Sequence, residues 1–313
     1  MVFYEVENDR LERREQAKDC SRENVTVGYV TLKELEQEYS TFGFPKELLA
    51  TCREAQSRSR SNLEVYDTFS FVLLWMPDLQ NMRATQRRVA LFLQKNLCLF
   101  VNISDTEQQS YGVLVRILEN LGRRMTIERV IGSFLLHLVD GGSESLEHGE
   151  QQVTAMEERI LSDHPDPEIN RRLFRMKSRL TLQQSYYEGL VELGESLAEN
   201  ENNLFSESEN FRYLNIAVSR IQRLSGHTQS MKEELEHLRE TYQSALDYNL
   251  NNIMKLFTVV TTIFLPLSLI AAWYGMNFQM PEFGWKYGYL AVIVVSVAVL
   301  FVCLWFFKKK KLF

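Results

Sequence analysis

Two uncharged apolar runs near one end of the chain, residues 256–273 and 287–307, constrain this sequence more than any other feature. Each is about as long as a helix needs to cross ~30 Å of hydrocarbon at ~1.5 Å per residue. In lipid every backbone N–H and C=O must find its partner inside the segment, so both runs are expected as membrane-spanning helices. The residues before them have the mixed composition of a globular domain, with 24% charged side chains over the whole chain. The expected molecule is a large soluble head carried on two spans.

Charge is distributed unevenly. The 313 residues hold 35 Lys and Arg against 41 Asp and Glu, a formal −6. Lys308, Lys309, Lys310 and Lys311 follow the second run directly; without them 31 bases face 41 acids, a formal −10. Such a head repels nucleic acid and is compatible with cations as partners. The lysines flanking the last span fit the positive-inside bias, and two spans return the chain to the side it left, so both termini are expected in the cytoplasm. Met1-Val2-Phe3-Tyr4-Glu5 has no basic stretch leading into an apolar one, and no secretory signal is read there. Cys20, Cys52, Cys98 and Cys303 make no C-x-x-C pair and read as packing residues rather than disulfide or zinc ligands. His148, His164, His227 and His237 are scattered, without acidic or histidine partners at i, i+4, and read as solvated surface.

The first hundred residues mix strand and helix patterns. Residues 25–30, 69–75, 89–93 and 97–101 are rich in β-branched and aromatic side chains, and Gln94-Lys95-Asn96 suits a tight hairpin between the last two. Residues 32–39 and 47–55 read as helices, the second after Pro45. Beyond residue 108 strand signals vanish. Residues 111–121, 127–139 and 146–161 read as helices, with Gly141-Gly142-Ser143 and His164-Pro165-Asp166-Pro167 as breaks. Ile169, Leu173, Met176, Leu180, Tyr187, Leu190 and Leu197 then form a helical seam, continued by Leu214, Val218, Ile221, Leu224, Met231, Leu235, Leu238, Tyr242, Leu246 and Ile253. The expected layout is a cytoplasmic α/β domain over 1–107, a helical hairpin region over 108–203 and the stalk of a long pore helix over 204–255. The first span (256–273), an outer loop (274–286), the second span (287–307) and a lysine-rich tail (308–313) complete it. An unbroken helix over 204–273 would be about 105 Å long at ~1.5 Å per residue. Gly226 is its weak point, costing about 1 kcal/mol against alanine.

Two spans cannot enclose a water-filled path alone, so transport through this chain requires several copies around an axis. One face of the long helix is suited to line such a path. Glu240, Asp247, Asn251, Met254, Thr258, Thr261, Leu265, Ser268 and Ala272 recur in steps of three, four and seven. From the outside inward this stripe is small and polar, then apolar, then polar, then acidic.

Directly after the first span stands Tyr274-Gly275-Met276-Asn277-Phe278, then Gln279-Met280-Pro281-Glu282 and a short link to the second span. A Gly-Met-Asn tripeptide flanked by Tyr and Phe, between two terminal spans and followed by Met-Pro-Glu, resembles the signature of the CorA family of divalent cation transporters. The whole layout shares the resemblance, while its specific residues lie within 251–311. It implies a CorA-like homo-pentamer in the inner or plasma membrane, an α/β head with long helices, and no enzymatic step. It implies Gly275, Met276 and Asn277 as the outer selectivity filter, and Met254 with Phe257 or Thr258 as an apolar constriction. Asn251 and Asp247 would collect ions at the inner mouth, and with Asn277 would touch the hydrated ion in passing. The chemistry agrees: magnesium gives up its water reluctantly, so a filter passing it hydrated needs neutral oxygen acceptors such as a ring of carboxamides. No cofactor is implied; the cation is cargo, magnesium first, with cobalt, nickel or zinc as further candidates.

The sequence departs from the family's pattern in the head. Ala50-Thr51 stands where an acidic pair is expected, and Tyr213, after Phe211-Arg212, where another acid is expected. The intersubunit magnesium sensor those acids form is therefore expected to be missing. In the outer loop Gln279 replaces a common acid, leaving Glu282 as the loop's only carboxylate. A zinc transporter of the same architecture without a magnesium-sensing gate is the alternative. A membrane-anchored coiled-coil scaffold without a pore is a third reading, which would leave the Asn277 loop and the polar stripe without a purpose.

Overall fold

The structure is a computed structural model of one chain and describes residues 1–7, 10–21, 23–54, 61–80, 82, 86–161, 168–205, 211–276, 284 and 286–309. It divides into two compact units. One comprises Met1–Leu161 with Asp166–His237, the other Ser162–Pro165 with Leu238–Phe313. The α/β region and the helices that follow it therefore share one unit.

In the first unit β1 (Val2–Glu7), β2 (Arg10–Arg14), β3 (Thr26–Thr31), β4 (Asn62–Val65), β5 (Ser70–Pro77), β6 (Gln86–Gln94) and β7 (Leu97–Asn102) form one sheet in the order β2-β1-β3-β7-β6-β5-β4. Only β3 and β7 run parallel. Four of these strands carry the expected apolar patterns, and Lys95-Asn96 is the turn between β6 and β7. The strands β1, β2 and β4 escape pattern reading because charged side chains interrupt them. Glu5 shows how one is accommodated: it is buried, and its Oε1 accepts from the Ser21 N–H and from Asn24 Nδ2, both at 2.9 Å. Arginines and Glu12 on the outer strand β2 keep that sheet edge from pairing with another chain.

Helices cover both faces of the sheet. Over one face lie α1 (Leu32–Phe42), which opens with a reciprocal Thr31–Glu34 cap and closes at Gly43 with φ +73°, and α2 (Glu47–Glu54). Leu35, Phe42 and Leu48 join Phe71, Phe92 and Leu99 in one core there. Alternate strand residues point the other way. Tyr29 meets Tyr111 of α3 (Gln109–Leu121) with ring centroids 5.0 Å apart, and Phe100 meets Phe134 of α4 (Ile127–Leu138) at 4.9 Å.

Next come α5 (Gly142–Leu161) and α6 (Ile169–Glu199), followed by α7 (Phe211–Tyr274), whose first part packs in this unit. Small residues set the spacing of α5 and α6. A Cβ on Gly142 would lie 2.8 Å from the Tyr187 hydroxyl, and Ser145 Oγ accepts from Gln183 Nε2 at 3.0 Å. Toward α7, Lys177 pairs with Glu236, and a Cβ on Gly194 would lie 2.5 Å from Val218 Cγ2. The α7 seam is buried at Leu214, Val218, Ile221, Leu224, Met231, Leu235, Leu238 and Tyr242. Thr228 fills a seam position that apolar periodicity alone misses, its hydroxyl donating to the Leu224 carbonyl at 2.8 Å. The seam ends before the membrane run: Leu246 is half-buried and Ile253 exposed.

Leu204 and Phe205 lie outside the long helix, which is described from Phe211 to Tyr274. Asn200 closes α6 in the left-handed region with φ +50°. Its side chain then ties the following loop, Nδ2 donating to the Phe205 carbonyl at 2.9 Å and Oδ1 accepting from the Phe205 N–H at 3.0 Å. Asn202 Nδ2 anchors the same loop to the carbonyl of Tyr66 at 2.8 Å. These bonds hold Leu204 and Phe205 buried outside any helix. With 64 residues, α7 is about 96 Å long at ~1.5 Å per residue.

Two glycine substitutions should move stability in opposite directions. A Cβ on Gly28 would lie 2.7 Å from both Leu99 Cδ1 and the Phe3 ring. Gly28→Ala is expected to cost about 1–3 kcal/mol through overpacking. Gly226, inside α7 with nothing within 4 Å of a Cβ, should instead gain up to about 1 kcal/mol as alanine. Thermal unfolding of the full-length protein in detergent reads both: a lower Tm for Gly28→Ala and a higher one for Gly226→Ala.

Candidate ion-conducting segment

The second unit holds the rest of α7 and α8 (Gly288–Lys309). Both are long and apolar enough to cross a membrane, and only 6% of each apolar window is buried. Helices this widely exposed on apolar side chains need lipid or other helices around them. Lys309 Nζ lies 5.1 Å from the Trp305 ring centroid, a pairing suited to a membrane–water boundary.

One side of the α7 span is covered. Val259 is only 5% exposed, and Ile263, Pro266, Leu267 and Ile270 are half-buried. Pro266 lacks an N–H, which leaves the Thr262 carbonyl without its helical donor. The Cys303 thiol of α8 contacts that carbonyl at 3.9 Å. In hydrocarbon an unpaired carbonyl is costly, so this weak donor has a definite use. Cys303 reads as plain packing in the sequence; stepping back four residues from Pro266 is the signal that would have found its partner.

At about 100° per residue, the predicted stripe lies on the opposite side of the helix from Val259, Ile263 and Ile270. Met254 is 63% and Leu265 68% exposed, and Phe257 is exposed beside them. Glu240, Asp247, Asn251, Thr258, Thr261, Ser268 and Ala272 are exposed too. The hydroxyls on this face spend their protons on the preceding turn. Thr258 Oγ1 donates to the Met254 carbonyl at 2.7 Å, Thr261 Oγ1 to the Phe257 carbonyl at 2.8 Å, and Ser268 Oγ to the Leu265 carbonyl at 2.9 Å. Such bonds are what any hydroxyl in a span makes. They also leave only lone pairs facing outward, a surface that accepts and so suits a cation and its water.

At the outer end the Gly275 N–H donates to the Ala271 carbonyl at 2.9 Å and the Met276 N–H to the Trp273 carbonyl at 3.4 Å. A Cβ on Gly275 would lie 3.0 Å from the Ala271 oxygen, a tight approach at a position whose φ is not left-handed. Asn277 and Glu282 lie outside the described residues.

The remaining candidates stay unassembled. Burial pushes the Cys52 thiol up to about 12 and the Cys98 thiol further in the same direction, so both stay protonated and apolar. His227 is exposed as expected, and its Nε2 also meets Glu150 Oε1 of α5 at 2.6 Å. Among the described residues no three His, Cys, Asp or Glu side chains gather where they could hold a metal.

Comparison with known proteins agrees with this architecture. The model of the CorA-like Mg2+ transporter protein family matches residues 25–309. The cobalt/magnesium transport protein CorA of Thermotoga maritima is 29% identical over 264 residues, 80% of this chain and 72% of that one. Among solved structures, the CorA magnesium transporter from Methanocaldococcus jannaschii superposes with a TM-score of 0.76 over 98% of this chain and 97% of its own, at 16% identity. The full-length CmaX protein does so with 0.71 over 99% and 97%, at 17% identity. At those identities the structures establish the shared fold, and the family match over most of the sequence establishes kinship: the chain belongs to the CorA-like Mg2+ transporter family.

Proposed function

We propose that this chain passes divalent cations, magnesium first and cobalt, nickel or zinc as further candidates, through a homo-pentameric pore in the inner or plasma membrane. The observation that carries the reading is the stripe on α7, polar at both ends and opposite the face that Val259 and Ile263 bury. A two-span chain has nothing of its own to cover that face. Copies arranged around an axis cover it with one another and leave water between them.

Each part of the stripe then has a task. Asn277 offers neutral carboxamides to a hydrated ion, and the Ser268 and Thr261 lone pairs continue the polar lining. Met254 and Phe257, with Thr258, form a narrow apolar ring able to close by dewetting. Asn251, Asp247 and Glu240 concentrate cations at the inner mouth. Both termini lie in the cytoplasm, with the lysine tail as anchor. The resemblance that names the family supports no bond-breaking step and leaves the scaffold without an observation of its own.

One observation favours the reading without a magnesium-operated gate. Tyr213 stands where the resemblance puts an acid, and the Arg129 guanidinium lies 4.7 Å from its ring centroid. A cation already occupies that place. Ala50 and Thr51 on α2 offer no carboxylate either.

Three measurements test these statements. Purified protein in liposomes loaded with a cation-sensitive dye should give magnesium or zinc flux that Asn277→Ala abolishes; equal leak with and without protein would contradict a pore. Raising internal magnesium should leave that flux largely unchanged, and strong inhibition would show that a sensor exists. In a background free of native cysteines, Thr261→Cys and Ser268→Cys should react with a membrane-impermeant thiol reagent while Val259→Cys and Ile263→Cys should not, read by mass shift. The reverse pattern would place the water path elsewhere.

A further inference from the structure

Arginines on α5 and α6 enclose a cleft that the transport reading leaves unused. Arg159 of α5 and Arg172, Arg175 and Arg179 of α6 line a cavity of about 370 Å³, with Met156 and Met176 also in its wall. The chain as a whole is acidic, at −6, yet residues 171–179 of α6 carry five basic side chains, three of which line this cavity with Arg159.

The neighbours of the three α6 arginines show what these lack. Arg171, adjacent in sequence, is paired: its Nη1 donates to both carboxylate oxygens of Glu168, at 3.1 and 3.3 Å. Arg172, Arg175 and Arg179 have no carboxylate partner among the described residues. Arg175 donates only to the backbone, from Nε to the Arg171 carbonyl at 3.4 Å. Arg179 is the most demanding. Its Nη2 reaches the Ser145 carbonyl at a long 3.5 Å, and its Nε is buried with no acceptor. Burial lowers its pKa, the mark of a cation losing water. Stripping a guanidinium of water without a counter-charge is costly, and an ordinary solvated helix face incurs no such cost.

We propose that this cleft binds a small anion carrying two or more phosphate groups. The guanidinium fork matches phosphate oxygens in pairs and sheds water more readily than an ammonium. Several positive charges at one site match a di- or triphosphate better than a single carboxylate. A volume of about 370 Å³ suits a small ligand, and the two methionines provide a polarizable apolar wall for a ring or chain attached to the phosphates. Two sources carry that chemistry, a soluble nucleoside di- or triphosphate and the headgroup of a lipid with two phosphates.

Calorimetric titration of the full-length protein in detergent, with chelator present and no divalent metal, tests the site. Sodium pyrophosphate should bind saturably, and Arg172→Gln and Arg175→Gln, both on exposed positions, should each weaken it about tenfold. Added salt should weaken it further. Tighter binding of ATP than of pyrophosphate assigns the soluble source, and displacement of pyrophosphate by cardiolipin in mixed micelles assigns the lipid. Absence of saturable binding, or equal affinity in the parent and both variants, overturns the proposal. The readout involves no flux, so its failure leaves the transport reading intact.

Discussion

A helix that crosses hydrocarbon must satisfy every polar proton it carries, and this requirement shapes the stripe of the second unit. Thr258, Thr261 and Ser268 each donate inward to the preceding turn, which satisfies their protons. Their oxygens still face outward, opposite the side that Val259 buries. In the proposed closed ring of copies those oxygens turn to water and the remaining apolar side chains to lipid. Pro266 and Cys303 show the same accounting applied to the backbone, the carbonyl freed by the proline being met by a thiol from α8.

The head solves a different problem, that of holding long helices in register. Gly142, Ser145 and Gly194 let α5, α6 and α7 approach closely, and Lys177–Glu236 and His227–Glu150 pin them laterally. The sheet beneath is covered on both faces, by Leu35 and Phe42 on one side and Phe134 and Tyr111 on the other. Because α7 runs from Phe211 to Tyr274 as one helix, a covalent and hydrogen-bonded path joins the residues packed in the head to those of the span. That continuity is a precondition for coupling between them, and the chemistry of any effector enters separately.

Much of this was legible in the sequence where a single period dominates. The α7 seam from Leu214 to Tyr242 follows its apolar spacing, and the spans announce themselves by lacking charge. Strand β1 was not legible, because Glu5 lies in a buried strand position made tolerable by Ser21 and Asn24, which a local pattern cannot foresee. The start of α7 was misplaced for a similar reason: Asn200 and Phe205 close a loop through side-chain bonds that override the apolar periodicity. The stripe was readable as a face, whereas the acceptor of each hydroxyl is set by the folded helix. The arginine cleft could not be read from either helix alone, since it exists only where α5 and α6 come together.

In the proposed assembly the face bearing Ser268 points inward among copies of the chain. Spin labels placed at Ser268 in one sample and at the lipid-side candidate Val294 of α8 in another would report inter-copy distances in the assembled protein by pulsed electron paramagnetic resonance. Distances between labels at 268 should be clearly shorter than those between labels at 294. Longer distances at 268, or a protein that shows no inter-copy coupling at either site, would contradict it.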